Sequence, residues 1–154
     1  QYLFYAGEED GTVSRSRIAN YAHPQYPELD DFGDCAINGA NGTTFYFRVD
    51  WFTPDGLRTW GDGRTIIIGT KGYIEIKYVD VGTERDGGNH VFLVNDQGEQ
   101  YINATGLTGY PFFGDLILDS LNRTENAMTQ AHAFKAAELC LIAQKQAEMV
   151  YQAK

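Results

Sequence analysis

The sequence changes character at Tyr110-Pro111, and this change constrains the fold more than any other feature. Before it, short segments of alternating apolar and polar residues are separated by turns rich in Gly and Asn, a pattern typical of half-buried strands. After it come two stretches typical of helices, 112–121 and a longer one that starts at Met128 or Thr129, runs to about Gln152 and contains no Gly or Pro. Strands followed by helices predict an α+β domain: a mostly antiparallel, open β-sheet with helices packed on one face.

The alternation also predicts which residues share a face. In the clearest strand, 43–52, every second residue from Phe45 to Trp51 is apolar, so Trp51 is assigned to the core. A run of three isoleucines, 66–68, is typical of a buried strand. The other predicted strands are 12–21, 32–38, 73–79, 91–94 and 100–103. In the long helix, small residues predict a stripe that lies close against the sheet, formed by Ala133, Ala136, Ala137, Cys140, Ala143, Ala147 and Val150.

The first residues resemble the end of a helix. Residues 1–6 are mostly apolar, and Gly7 stands where a helix stop is expected. Because domains seldom begin inside an apolar helix, we expect this chain to be cut from a longer protein. The 154 residues themselves are expected to form one domain.

Charge and composition exclude several classes of partner. The chain has 12 basic and 21 acidic residues, a net charge of −9 that repels phosphate backbones and anionic lipids, so neither nucleic acid nor membrane is an expected partner. The longest apolar run, 139–143, is far shorter than the ~20 residues that span a bilayer, and no signal-peptide pattern occurs, which favours a cytoplasmic protein. Cys35 and Cys140 are expected to be buried thiols, and neither belongs to a Cys/His cluster that would hold zinc.

One segment, 51–64, concentrates the residue types that bind sugars. It contains both tryptophans of the chain, and Trp60 is followed by Asp62 and Arg64. Aromatic faces pack against the C–H surface of a sugar, while carboxylate and guanidinium groups bridge its hydroxyls, so these three residues are candidates for ligand binding. The alternative is an ordered loop in which Asp62 and Arg64 pair only with each other. His23, in a loop between two tyrosines, is a further candidate ligand-binding residue.

Other chemical motifs are weak or missing. The sequence contains no Gly-x-Gly-x-x-Gly, Walker or Gly-x-Ser-x-Gly pattern, so it carries no phosphate cradle and no serine-nucleophile turn of its own. Asp86 and His90 have the spacing of one helical turn, but two glycines between them disfavour a helix, and we do not assign a site there. His132, inside the long predicted helix, is assigned a structural role.

Three segments together resemble the C-terminal domain of a Gfo/Idh/MocA oxidoreductase, the family of glucose–fructose oxidoreductase and inositol dehydrogenase. They are 48–57 (RVDWFTPDGL), 60–64 (WGDGR) and 69–76 (GTKGYIEI). The Gly-Thr-x-Gly-x-Ile-Glu pattern of the third is widespread in that family, whereas the first two look specific to one subgroup. The resemblance covers essentially the whole chain and implies a fold like the C-terminal domain of glyceraldehyde-3-phosphate dehydrogenase.

The resemblance implies a partner domain and a reaction. Such proteins hold NAD or NADP in an N-terminal Rossmann domain, which these residues do not include, and transfer a hydride between nicotinamide and a sugar or polyol. The family's catalytic Lys lies in a Glu-Lys-Pro segment that does not occur here, and its Asp-x-x-x-His pair would lie just upstream of Gln1. We therefore expect no catalytic or cofactor-binding residue in this chain and no turnover by it alone.

Within that family, the expected role of this domain is to bind substrate and to form the oligomer. Trp60, Asp62, Arg64 and His23 would orient the substrate. The open sheet would form a homodimer or homotetramer through outward-facing residues, namely Tyr46, Arg48, Asp50, Glu75 and Lys77. Two alternatives remain at this point: a non-catalytic carbohydrate-binding or assembly module that shares the fold, and a parent protein whose dehydrogenase chemistry has been lost.

Overall fold

The structure, a computed structural model, describes residues 1–79, 81, 88–107 and 109–154. The element order is α1 (Tyr2–Ala6), β1 (Thr12–Asn20), β2 (Phe32–Asn38), β3 (Thr44–Asp50), β4 (Arg64–Gly69), β5 (Gly72–Lys77), β6 (His90–Asn95), β7 (Gly98–Asn103), α2 (Pro111–Asn122), α3 (Gln130–Lys145) and β8 (Glu148–Gln152). The predicted α+β class, with mostly antiparallel strands before the two long helices, is confirmed.

The chain divides into two compact units, each with its own sheet. Unit 1 comprises Gln1–Phe52 and Phe112–Lys154, and unit 2 comprises Thr53–Pro111. The sheet of unit 1 has the strand order β3-β2-β1-β8, and that of unit 2 has the order β4-β5-β6-β7. In unit 1, β1, β2 and β3 pair antiparallel, while β8 pairs parallel with β1.

The core of unit 1 lies between its sheet and the helices α1 and α3. Six buried residues form it: Tyr2, Leu3, Val13, Cys35, Ile37 and Leu139. The helix α1 ends as the sequence predicts, since Gly7 takes the left-handed conformation with φ 64° and its N–H closes the last turn. The apolar side chains of these four elements exclude water from the cluster and so hold α1 and α3 against β1 and β2.

The C-terminal part of the long helix was predicted wrongly. The helix α3 begins after Thr129, whose hydroxyl accepts a hydrogen bond from the His132 N–H, but it ends at Lys145 instead of Gln152. Residues Glu148–Gln152 form β8 instead, because the open edge of β1 offers backbone groups that need partners. The Gln146 side chain supports this break by donating a hydrogen bond to the carbonyl oxygen of Val13.

The face of α3 that packs inward matches the predicted stripe only in part. Leu139 is buried, and Ala136 and Ala143 pack against the same cluster, whereas Cys140 is exposed. The prediction that both cysteines are buried therefore holds for Cys35 and is wrong for Cys140. The physical reason is that the larger apolar side chain of Leu139 gains more from burial than that of its neighbour Cys140.

The outer face of the unit 1 sheet is polar, as the alternation predicts. Asp34 is buried beneath it, pairs with the Arg17 guanidinium, and accepts a hydrogen bond from the Tyr46 hydroxyl at 3.1 Å. The Arg17 guanidinium holds the pKa of the Asp34 carboxyl below its usual value, despite the burial of that group. Trp51, which directly follows β3, is 62% exposed, so its assignment to the core is wrong.

The sheet of unit 2 is an antiparallel meander with tight hairpins. β4 and β5 are joined through the pair Gly69 and Gly72, and β6 and β7 through Asn95 and Gly98, as the turn residues predict. Ile66 and Ile68 are 61% and 81% exposed, so the prediction of a buried strand there is wrong. The described part of unit 2 includes only the first residue of α2, so no helix among those residues covers that face of the sheet.

None of the helices in the described part of the chain is long and apolar enough to cross a membrane.

Candidate functional site

The segment that leads into β4 carries the three residues predicted to bind a ligand. Trp60 lies in the loop and is 89% exposed, and Arg64 is the first residue of β4. The loop is fixed at its end by Gly63, whose carbonyl oxygen accepts a hydrogen bond from the Tyr78 N–H at 3.1 Å. A side chain at position 63 would overlap the Tyr78 ring, since its Cβ would lie 2.7 Å from Cδ2. The glycine thus allows the loop to pack closely on Tyr78, the residue that directly follows β5.

Asp62 and Arg64 form an ion pair within this loop. Arg64 donates to the Asp62 carboxylate from two nitrogens, with distances of 2.6 Å from Nη2 and 3.4 Å from Nε. The pair lowers the pKa of Asp62 and raises that of Arg64, so both groups are charged at neutral pH. The internal pairing that was one of the two interpretations is therefore present. About half of the Arg64 side chain (55%) and a quarter of that of Asp62 (27%) remain exposed, which leaves donors and acceptors for a ligand.

The Asp62–Arg64 pair lies at one end of a charged and aromatic face of the unit 2 sheet. Arg64 lies opposite Lys77 in the ladder, and Glu75 lies two residues further along β5, so both are near the pair and act on its charges. Further along β6 and β7, the Phe92 and Tyr101 rings lie with their centroids 5.4 Å apart and line a shallow hollow with Glu75. Alternating charges beside aromatic rings suit a polar ligand that also has an apolar surface.

His23 lies in unit 1, in the loop that joins β1 to β2. Its Nδ1 is 2.8 Å from Oδ2 of Asp31, and Asp31 is fully buried. The same carboxylate accepts hydrogen bonds from the backbone N–H groups of Tyr21 and Ala22, each at 2.8 Å. A second buried side chain, Asn20, hydrogen-bonds to the backbone of His23 and Tyr26. The backbone of the loop is therefore held by hydrogen bonds to two fully buried polar side chains, Asn20 and Asp31.

Asp31 was not singled out in the sequence. Burial raises the pKa of its carboxyl, but the hydrogen bonds from Tyr21, His23 and Ala22 outweigh this effect, so that the pKa is lowered overall. Asp31 therefore stays ionised, and its carboxylate accepts a hydrogen bond from the ring of His23. Its only signal in the sequence is an acidic pair at the end of a loop, eight residues after a histidine.

The structure describes the two candidate clusters separately, one in each unit. Trp60, Asp62 and Arg64 lie together in unit 2, and His23 lies in unit 1. Asp86, the partner of His90 in the spacing that we did not assign as a site, falls outside the described residues. His90 is buried, with Nδ1 2.7 Å from the Tyr101 hydroxyl. Among the residues described, no group of three or more His, Cys, Asp or Glu side chains could hold a metal ion.

Comparison with known proteins first defines the fold. The chain is similar to a solved structure from Thermotoga maritima, provisionally named an oxidoreductase, with a TM-score of 0.79 and 18% identity over 95% of this chain. At that identity, the likeness shows the fold alone.

A second solved structure is much nearer in sequence. A provisionally named oxidoreductase from Erwinia carotovora atroseptica matches with a TM-score of 0.91 and 51% identity over 97% of this chain. The present chain spans less than half of either protein, 44% of the Erwinia chain and 41% of the Thermotoga chain. No family model matches the sequence, and no curated protein matches it significantly.

Proposed function

We propose that this chain is the substrate-binding and dimerisation domain of a cytoplasmic, NAD(P)-dependent oxidoreductase of the Gfo/Idh/MocA type that acts on a sugar or polyol. The observation that carries the proposal is the 51% identity, over nearly the whole chain, to a protein named as an oxidoreductase. The motifs at 48–57, 60–64 and 69–76 support the assignment to this family. The domain alone does not turn over substrate in this proposal, since it contains no Glu-Lys-Pro segment.

The residues here do not fit the nicotinamide cofactor. Its pyrophosphate is bound by a glycine-rich turn between a strand and a helix N-terminus, and the chain has no Gly-x-Gly-x-x-Gly sequence. In the proposal, NAD or NADP is therefore held by other residues of the full-length protein. The contribution of this domain is to bind and orient the substrate.

Trp60, Asp62 and Arg64 are the proposed substrate-binding residues of unit 2. The Trp60 side chain is exposed, so its ring can pack against the C–H face of a sugar. The guanidinium of Arg64 donates hydrogen bonds and the carboxylate of Asp62 accepts them, so the pair can bind two neighbouring hydroxyls. Because the pair is already formed at 2.6 Å, a ligand meets both groups in fixed positions.

The proposed oligomer forms through the open sheet face. Ile66 and Ile68 are exposed side by side on β4, and exposed apolar patches of this kind mark protein–protein contacts. A homodimer or homotetramer that covers Ile66 and Ile68 would remove both side chains from water, and in this proposal its contact stops short of Arg64 on the same face of β4. Light scattering of the full-length protein should find an oligomer that the Ile68→Lys substitution weakens, and a wild-type monomer at high concentration would contradict this part of the proposal.

The proposal is tested with the full-length protein, NAD or NADP, and a panel of sugars and polyols. We expect nicotinamide reduction with at least one of them, and a rise in KM of about tenfold or more in Arg64→Ala and in Trp60→Ala, since each loses contacts with the substrate. Trp51→Ala, which removes the other exposed tryptophan, is the matched control and should leave KM unchanged. Normal kinetics in both loop variants would exclude the loop from the site.

Failure of the full-length protein to reduce either nucleotide with any substrate of the panel would contradict the dehydrogenase proposal. The coding region upstream of Gln1 gives a second test. A Gly-x-Gly-x-x-Gly, a Glu-Lys-Pro and an Asp-x-x-x-His segment are expected there, and a region without them would favour the non-catalytic binding module.

A further inference from the structure

We propose that His23, positioned by the buried carboxylate of Asp31, binds a hydroxyl group of the ligand through its Nε2 atom, in the loop that also carries the exposed Tyr21 ring. The inference rests on the proposed function for the class of ligand, a sugar or polyol. The geometry that supports it belongs to unit 1 alone.

The imidazole ring of His23 is held in one orientation. Its Nδ1 lies 2.8 Å from Oδ2 of Asp31, a carboxylate that is completely removed from solvent. Since that carboxylate is ionised, it can only accept, and the proton of a neutral imidazole must therefore reside on Nδ1. Nε2 is then left as a hydrogen-bond acceptor.

That acceptor is accessible. The His23 side chain is 31% exposed, and among the described residues Nε2 has no hydrogen-bond partner. An exposed acceptor with a fixed direction favours a ligand that donates a hydrogen bond, and a hydroxyl group is such a donor. A buried carboxylate behind a histidine is a common way to fix the tautomer of a ring that binds through its other nitrogen.

The loop does not need the ring to keep its shape. The Asp31 carboxylate already receives the N–H groups of Tyr21 and Ala22, one on each oxygen. Asn20 independently binds the backbone N–H of His23 and the carbonyl oxygens of His23 and Tyr26, each at 2.9 Å. Because these backbone contacts do not involve the imidazole, the free edge of the ring remains available to a ligand.

An aromatic surface adjoins this loop. The Tyr21 ring stacks on that of Tyr151, with centroids 5.2 Å apart and an angle of 13° between the planes, and contacts Phe32 and Phe52 edge-on. Tyr21 is 45% exposed and Tyr151 is 50% exposed. The backbone N–H of Tyr21 donates to the same carboxylate that holds the His23 ring. An aromatic face and a hydroxyl acceptor set by one buried group are the two elements that bind a polyhydroxylated ring.

The experiment compares two histidine variants of the full-length protein. In His23→Asn, the amide nitrogen takes the place of Nδ1 and still donates to Asp31, while the acceptor at Nε2 is lost. His132→Asn, at a half-buried helix position, is the matched control. Calorimetric titration with myo-inositol and with glucose measures affinity, and nitrogen NMR of the histidine rings and the tryptophan indoles reports which groups the probe reaches.

We expect the probe to shift the Nε2 resonance of His23, and His23→Asn to weaken binding by about threefold to tenfold, the factor for one net hydrogen bond. The control should bind like the wild type. A probe that shifts the Trp60 resonance but leaves Nε2 and the affinity of His23→Asn unchanged would overturn this inference and leave the proposed function standing. A shift at Nε2 in a protein that reduces neither nucleotide would support this inference and overturn the dehydrogenase proposal, and probes that perturb neither group would overturn both binding assignments.

Discussion

Replacing Leu139 by alanine should destabilise the fold strongly, because this side chain fixes α3 to the sheet of unit 1. Leu139 is 6% exposed and lies in the cluster with Val13 and Ile37. Burial of a leucine side chain contributes about 1.5–3 kcal/mol, and its removal also leaves a cavity. The partly buried neighbours Ala136 and Ala143 are too small to fill that space. We therefore expect Leu139→Ala to lower the free energy of unfolding by about 3 kcal/mol.

Leu141 provides a matched control on the same helix. It is 71% exposed, so Leu141→Ala should change the free energy of unfolding by less than about 0.5 kcal/mol. Because both substitutions exchange leucine for alanine within α3, the difference in helix propensity cancels. Urea titration followed by circular dichroism measures both, with unchanged slopes as the check on two-state unfolding. A loss at Leu141 as large as that at Leu139 would refute the assignment of the inward face of α3.

Three other predictions follow from individual contacts. Gly72→Ala should destabilise the fold by at least about 2 kcal/mol, since the residue has φ 151° and a Cβ there would overlap the Val94 carbonyl oxygen. Gly98→Ala, at φ 126° with open space around it, should destabilise the fold less, and thermal denaturation compares the two variants. Four hydrogen bonds, from Thr124, Asn126 and Ala127, lower the pKa of Asp119 to about 2. The stability that its carboxylate provides is therefore complete above about pH 4 and is lost as the pH falls towards 2. Asp119→Asn should lower the urea midpoint at neutral pH, and the midpoint of this variant should fall less on acidification than that of the wild type. A thiol reagent should modify Cys140 in the native protein and reach Cys35 only after unfolding, because burial encloses Cys35 and raises the pKa of its thiol; mass spectrometry of the labelled peptides decides this.

The strands were predictable because each is specified by neighbours in the sequence. The segment 32–38 was predicted with the bounds that β2 has, since alternation and the turn at Asn38 to Gly42 are both local signals. β8 was not predicted because the sequence has no Gly or Pro between the helix α3 and this strand to mark the end of the helix. Its conformation is set by the open edge of β1, whose backbone groups it pairs, and that edge lies more than a hundred residues away in the sequence.

Alternation shows which residues share a face but does not show which face is covered. Trp51 and Ile68 were both assigned to the interior from residue type and spacing, and both are exposed. In unit 1, the covered face depends on where α1 and α3 pack, which no local pattern around β3 encodes. The same limit explains Asp31, whose role follows from burial and from backbone donors that only the folded loop brings together.

The two candidate clusters differ in which hydrogen-bonding groups remain without a partner after folding, and this difference determines how each could bind a ligand. Asp62 and Arg64 satisfy each other, and an exposed pair of this kind stabilises a fold by only about 0–1 kcal/mol, so a ligand can share its hydrogen bonds at little cost to stability. At His23 the opposite holds, because Asp31 satisfies one ring nitrogen and directs the other towards solvent. The unit 2 pair thus offers both donors and acceptors to neighbouring hydroxyls, whereas His23 offers a single acceptor of fixed direction. A hydroxyl group both donates and accepts, so it can bind to either cluster, whereas a ligand group without a hydrogen-bond donor can bind only to the Asp62–Arg64 pair.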